Sequence, residues 1–143
     1  MNEELPRQFG RFELVERVAT GGMGEVFRAR AVGGSRWFAL KRLPKEATSD
    51  PMLAGMFIDE GRMANAVSGR NVARLVEHGE VDGEHYLVFD WIAGVTLEEL
   101  LAKLQSTGRE LPVDQIARLF AGLADALEQV HQTRDAQGRP VKM

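Results

Sequence analysis

Three groups of residues in this sequence are of types that could do chemistry together. In VATGGMGEVFRARA, Val18 to Ala31, the residues Gly21, Gly22, Met23 and Gly24 interrupt two strand-like runs. Glycines concentrated at a strand turn let a ligand come close to the backbone, and a phosphate is the candidate. In WFALKRL, Trp37 to Leu43, Lys41 and Arg42 point to opposite faces of a strand, so one of them shares a face with Ala39 and Trp37. Glu60 lies three residues after Phe57 and four after Met56, and three and four before Met63 and Ala64, which sets it inside the apolar stripe of a helix. A carboxylate there needs a partner, and an inward-facing Lys41 would supply one. Breaking such a buried pair from one side costs about 3–5 kcal/mol, yet having it seldom adds stability, which favours a functional reason for both charges. A surface Glu and a surface Lys that never meet satisfy the same periodicity, and at this point both readings stand.

The elements that must position these residues follow from patterning. Apolar and polar residues roughly alternate over Phe12–Val18 and Glu25–Ala31, giving an antiparallel pair around the glycine turn. Gly33 and Gly34 turn the chain into a third strand, Trp37–Leu43. The runs NVARLVEHGE and HYLVFD are two more strands, joined through the hairpin signal Asp82-Gly83. Five strands form one antiparallel sheet with a single inserted helix. That helix has Asp50 as N-cap, Pro51 in its first turn, a face of Leu53, Met56, Phe57, Met63, Ala64 and Val67, and a stop at Ser68-Gly69. Two helices follow. One opens with the capping box Thr96-x-x-Glu99, and the other runs from about Pro112 to His131 with Ile116, Phe120, Leu123, Leu127 and Val130 on one stripe.

Composition narrows the class. The 143 residues are 44% hydrophobic and 27% charged, enough apolar content for one globular domain with a real core. A net charge of -3 gives no electrostatic reason to expect nucleic acid or an anionic membrane as partner. With no apolar run of spanning length and an acidic rather than basic start, the expected address is cytoplasmic. Zero cysteines exclude disulfides, thiol nucleophiles and thiolate metal sites, and His78, His85 and His131 lack the spacing of a metal cluster.

The glycine-rich strand turn, a strand ending in FALK, a helix carrying FIDEGR and then YLVFDWIAGVTLEELL resemble, in this order and spacing, the N-terminal part of a protein kinase, most closely the bacterial serine/threonine kinases of eukaryotic type. The resemblance runs from about Phe12 to His131. It implies an α+β, kinase-like fold: an N-terminal extension over 1–11, a small lobe and hinge over 12–92, and the first helices of an incomplete helical lobe over 93–143. It also implies ATP as ligand. The loop pattern G-x-G-x-x-G-x-V falls on Ala19, Thr20, Gly21, Gly22, Met23, Gly24, Glu25 and Val26, with alanine in place of the first glycine. Lys41 matches the lysine that neutralises the α- and β-phosphates, and Glu60 the glutamate that holds it. Val18, Val26 and Ala39 correspond to walls around adenine, Phe89 to the gatekeeper, and the backbone C=O of Asp90 and N–H of Ile92 to the hinge groups that bond the adenine edge. On this reading the side chains of Asp90 and Ile92 are free to vary.

The resemblance stops short of catalysis. The sequence holds no H-R-D-x-x-x-x-N string and no D-F-G, the segments that supply the catalytic Asp and the magnesium ligands. The TRD at Thr133–Asp135 comes too soon after His131, Pro140 stands where the Asn would be, and DAQGRP with Gly138 reads as a turn. Magnesium and a protein substrate therefore belong to the complete enzyme, and this chain alone is expected to be inactive. The alternative is a natural minimal pseudokinase, a module that binds nucleotide or protein. The long helix, left partly uncovered by its neighbour, predicts an apolar surface open to self-association.

Overall fold

The computed structural model describes residues 4–21 and 24–134, so Gly22 and Met23 of the glycine turn, Asp135, Gly138 and Pro140 of the tail, and the first residues of the acidic start lie outside the described residues. The chain divides into two compact units, residues 1–68 with 73–91, and residues 69–72 with 92–143.

The first unit is an antiparallel sheet of six strands: β1 (Arg7–Phe9), β2 (Phe12–Gly21), β3 (Gly24–Ala31), β4 (Trp37–Arg42), β5 (Leu75–Val81) and β6 (Glu84–Asp90), in the spatial order β1-β2-β3-β4-β6-β5. The sixth strand corrects the expected five. It lies within the segment expected as an extension, where three residues are too few to show an alternation, and it forms because Gly10, at φ 55°, turns the chain so that Phe9 pairs with Phe12. Both phenylalanines are buried. The hairpin between β5 and β6 turns through Asp82 (φ 53°) and Gly83 (φ 83°), the positive dihedrals that the Asp-Gly pair is suited to supply.

β1 and β5 are at opposite ends of the strand order, yet β1 and the turn after it reach the β5–β6 hairpin. The Phe9 ring packs edge-on against Tyr86 at 5.7 Å, a Cβ built on Gly10 would stand 2.8 Å from Val81, and Arg11 forms an ion pair with Glu77. The sheet is therefore curled into a half-barrel around Phe12, Leu14, Phe27, Leu40 and Val88. Burial of Phe38, Leu40 and Arg42 shows that the even-numbered residues of β4 face this interior. Lys41 lies on the other face of β4, the one it was expected to share with Ala39 and Trp37. That face is covered by α2 (Pro51–Ala66), capped by the Asp50 carboxylate on the Met52 N–H at 2.8 Å and preceded by the one-turn α1 (Lys45–Thr48), too short for periodicity to reveal. α2 presents its expected stripe apart from Met56: Phe57 and Val67 are buried, Leu53, Met63 and Ala64 are half-buried, Gly61 is buried among them, and Met56 is exposed. Phe57 joins Leu43 and Leu87 in a second small core.

The second unit pairs α3 (Leu97–Ser106) with α4 (Val113–Gln132). The capping box forms as expected, with the Glu99 N–H donating to Thr96 Oγ1 at 3.1 Å and the Thr96 N–H to Glu99 Oε2 at 2.7 Å. Gly69 lies against Gln129 and Asn71 against Gly122, so the short segment 69–72 packs on α4. Between the two helices runs an open apolar groove of about 1090 Å³, lined by Leu97, Leu101, Ile116, Phe120 and Leu123. Phe120 is 65% exposed. Among the described residues, no helix is long and apolar enough to cross a membrane.

Tyr86, the chain's single tyrosine, reports whether the half-barrel is closed. Burial pushes its pKa from 10.0 up to about 12, helped by the hydrogen bond it donates to Glu77 at 2.8 Å. The raised value means a stabilising contribution that is complete below pH 10.0 and lost as pH rises through about 12. Phenolate absorbance should accordingly titrate with a midpoint near 12 in the folded chain and near 10.0 in denaturant; equal midpoints would mean that the β1 edge does not seat on β6.

Candidate functional site

The site is built around the centre of β4. Residues directly opposite in an antiparallel ladder share a face, so Val26, Lys41 and Leu87 form one cross-strand row and Arg28, Ala39 and Phe89 the next on the same face. Ala19 lies opposite Val26, whereas Val18 falls in the register shift between Arg17 and Ala19 and is half exposed. The structure thus brings Ala19, Val26, Ala39, Lys41 and Phe89 onto one face. Ile92 belongs to the second unit and is exposed.

α2 delivers Glu60 to this face. A Cβ on Gly61 would stand 2.7 Å from a methyl of Leu87, so the missing side chain lets the helix settle on the row that contains Lys41. Lys41 Nζ donates to both carboxylate oxygens of Glu60, at 2.7 and 2.6 Å, and lies 5.6 Å from the Phe57 ring centre. Their side chains keep 19% and 31% of their surface, so the pair is reachable from solvent. The arrangement is an oriented ammonium, neutralised on one side and open to a second anion on the other. A glycine inside a helical pattern was the overlooked signal for this close approach.

The glycines of the turn do different things. Gly24, opposite Gly21, has φ 117°, and a Cβ there would strike the carbonyl oxygen of Arg42 at 2.3 Å. Packing and dihedral both require a glycine. Around Gly21, in contrast, nothing lies within 4 Å of a built Cβ. Packing gives no reason for that glycine, and the open space beside its backbone fits an approaching group. Glu25, expected among the ligand residues, turns its carboxylate to the opposite face, onto Arg42 Nη2 at 2.6 Å and Arg17 Nη1 at 3.4 Å. What it can offer a ligand is its backbone.

Asp90 departs from expectation in the same way. Its carboxylate is held by Arg74 (2.8 and 3.3 Å) and by Arg36 (2.5 Å), and its N–H donates to the Arg74 carbonyl at 3.1 Å. The Arg74 hydrogen bonds hold its pKa below the usual carboxylate range, with Arg36 adding to the effect. The side chain fixes the end of β6 rather than varying freely. Nearby, the Arg28 guanidinium stacks on Trp37 at 4.1 Å and on Trp91 at 5.4 Å. Among the described residues no three His, Asp or Glu are grouped so as to hold a metal ion.

A half-barrel sheet with an inserted helix and a lysine–glutamate pair between them is the architecture of the small lobe of a protein kinase. The protein kinase domain family matches residues 12–135, and the chain belongs to that family. It is similar to the tyrosine-protein kinase MasK of Myxococcus xanthus, 28% identical over 97% of this chain and 22% of the relative. The serine/threonine-protein kinase AfsK of Streptomyces coelicolor is 32% identical over 92% of this chain and 16% of the relative. Among solved structures, the PknI kinase domain of Mycobacterium tuberculosis superposes with a TM-score of 0.69 at 24% identity, covering 92% of this chain and 52% of that one. The apo form of PpkA-294 superposes with a TM-score of 0.74 at 22% identity, covering 97% and 59%. The chain therefore spans about half of the solved kinase structures and no more than about a quarter of the curated relatives.

The contrast between the two glycines is testable by thermal denaturation. Gly24→Ala should destabilise the chain by about 1–3 kcal/mol, the cost of a strained backbone, or more if Arg42 must shift. Gly21→Ala should stay within about 1 kcal/mol of the parent, because the new methyl meets open space.

Proposed function

We propose that this chain is the ATP-binding portion of a serine/threonine protein kinase, which in its complete form transfers the terminal phosphoryl group of ATP to protein serine or threonine. The observation that carries this reading is the Lys41–Glu60 pair, seated on the face that also holds Ala19, Val26, Ala39 and Phe89. Glu60 restrains the long lysine side chain, so little rotamer freedom remains to be lost when the ammonium meets the α- and β-phosphates. Val18, Val26 and the small Ala39 wall the adenine, and Phe89 limits the space behind it. The backbone groups of Asp90 and Ile92 bond the adenine edge, with Asp90 held in place by Arg74 and Arg36. Gly21 and Gly24 bring backbone N–H groups to the phosphates.

The serine/threonine assignment follows the wider likeness to relatives of that name, AfsK and PknF among them, although MasK is named a tyrosine kinase. Magnesium, which neutralises phosphate charge during transfer, would be held by the H-R-D and D-F-G segments of the complete enzyme. A second reading keeps the same site: a pseudokinase module that binds nucleotide or protein without transferring phosphate. On either reading the working compartment is the cytoplasm. The exposed α3–α4 groove makes self-association the expected behaviour of the isolated chain.

Calorimetric titration with ATP tests the site. The parent should bind, and Lys41→Met should bind about 10- to 100-fold more weakly, the worth of one charge-assisted hydrogen bond; equal heats from both would remove the role given to Lys41. The purified chain should transfer no phosphate to itself or to a generic protein substrate, and robust autophosphorylation would overturn the assignment of catalysis to absent segments. In sedimentation velocity the chain should associate with rising concentration, and Phe120→Asp should shift it toward monomer.

A further inference from the structure

β4 carries a second buried cation one residue beyond Lys41. Arg42 is 5% exposed and projects into the half-barrel, its guanidinium 5.1 Å above the Phe27 ring and 5.7 Å from the Phe9 ring. Its Nη2 donates to Glu25 at 2.6 Å and its Nη1 to Glu84 at 3.4 Å. Glu84 in turn accepts from the Lys45 N–H at 3.2 Å. Glu25 is the residue directly after the glycine turn and the cross-strand partner of Arg42, and its other oxygen reaches Arg17 of β2. One carboxylate thus ties both strands of the glycine flap to β4. The backbone adds a contact of its own, because Gly24 rests on the Arg42 carbonyl with no room for a Cβ.

Buried ion pairs seldom stabilise more than a well-packed apolar replacement of the same volume; what they provide is a fixed geometry. The fixed object here is the root of the flap, and the strand it is fixed to is the one that holds Lys41. We propose that Arg42 and Glu25 are positioning residues that set the height and angle of the glycine turn over Lys41, and so govern affinity for the phosphates of the ligand and not for its base. The ligand rests on the nucleotide reading above; the geometry does not.

The experiment uses the full chain without ligand first. Amide hydrogen exchange at Thr20, Gly21 and Gly24 should quicken about tenfold in Glu25→Gln and in the double variant Glu25→Leu/Arg42→Met, while the amides of Leu14, Phe27 and Leu40 keep the parent rates. In calorimetry the same variants should lose about tenfold in affinity for ATP and keep their affinity for adenosine, a split that general destabilisation does not produce. The double variant removes both charges together, and Glu25→Gln keeps a hydrogen-bonding partner should the double variant fold poorly. Unchanged exchange at the turn overturns the proposal whatever the nucleotide results, as does a loosening spread evenly over the core strands or an equal loss for ATP and adenosine. If turn exchange rises while the parent binds no ATP, the positioning role stands and the nucleotide reading falls.

Discussion

Two consecutive cations on one strand set the constraint on which the rest of this structure depends. Period-two geometry sends Lys41 and Arg42 to opposite faces of β4, and neither face is open water. Each cation therefore needs its own carboxylate, and the fold supplies them from different elements: Glu60 from α2 on the outer face, Glu25 from β3 on the inner one. The two demands are coupled because they share a backbone. α2 must lie close enough for Glu60 to reach Lys41, hence Gly61 against Leu87. β3 must lie close enough for Glu25 to reach Arg42, hence Gly24 against the Arg42 carbonyl. Two glycines that would weaken their elements by entropy alone are needed where charge pairs draw backbone together.

How much of this was legible in the sequence depends on how far each signal reaches along the chain. The α2 stripe and the β4 alternation span enough residues to make a Lys41–Glu60 pair one of two readings of the pattern, the other being two surface charges that never meet. The same alternation could not say which β4 face was the deeper. With a helix on one side and a curled sheet on the other, both faces carry apolar residues, and the longer, more dispersed guanidinium proved the better fit to the aromatic interior beside Phe9 and Phe27. β1 stayed invisible because three residues carry no periodicity, and its burial comes from a partner, Tyr86, that lies far along the chain. The same holds for Asp90, whose two arginines come from 16 and 54 residues away. Propensity and spacing describe neighbours in sequence, while these contacts exist only because the sheet curls.

The charges also divide the labour between rigidity and access. Arg42 and its carboxylates are sealed among aromatic rings, and Tyr86 with Glu77 and Arg11 closes the far seam of the half-barrel. Lys41 and Glu60 keep a share of their surface. A pair that only held a helix on a sheet could be replaced by packed apolar side chains at little or no cost in stability. One left partly open, next to a small residue and a glycine turn with free space at Gly21, holds a cation ready for another anion.

The second unit stands in a different energetic position. The first completes its own core, with seven large side chains under 2% exposed. α3 and α4 share one seam, and a helix pair has no third surface to close it, so Leu119, Phe120 and Leu123 remain about half or more exposed. Soluble monomers rarely keep so continuous an apolar strip. Substituting those residues should thus cost the isolated chain little stability while changing what it adheres to, whereas the same change at Phe12 or Phe27 would remove roughly 3–5 kcal/mol. The sheet unit is stabilised from within, and the helix pair gains most from whatever comes to cover it.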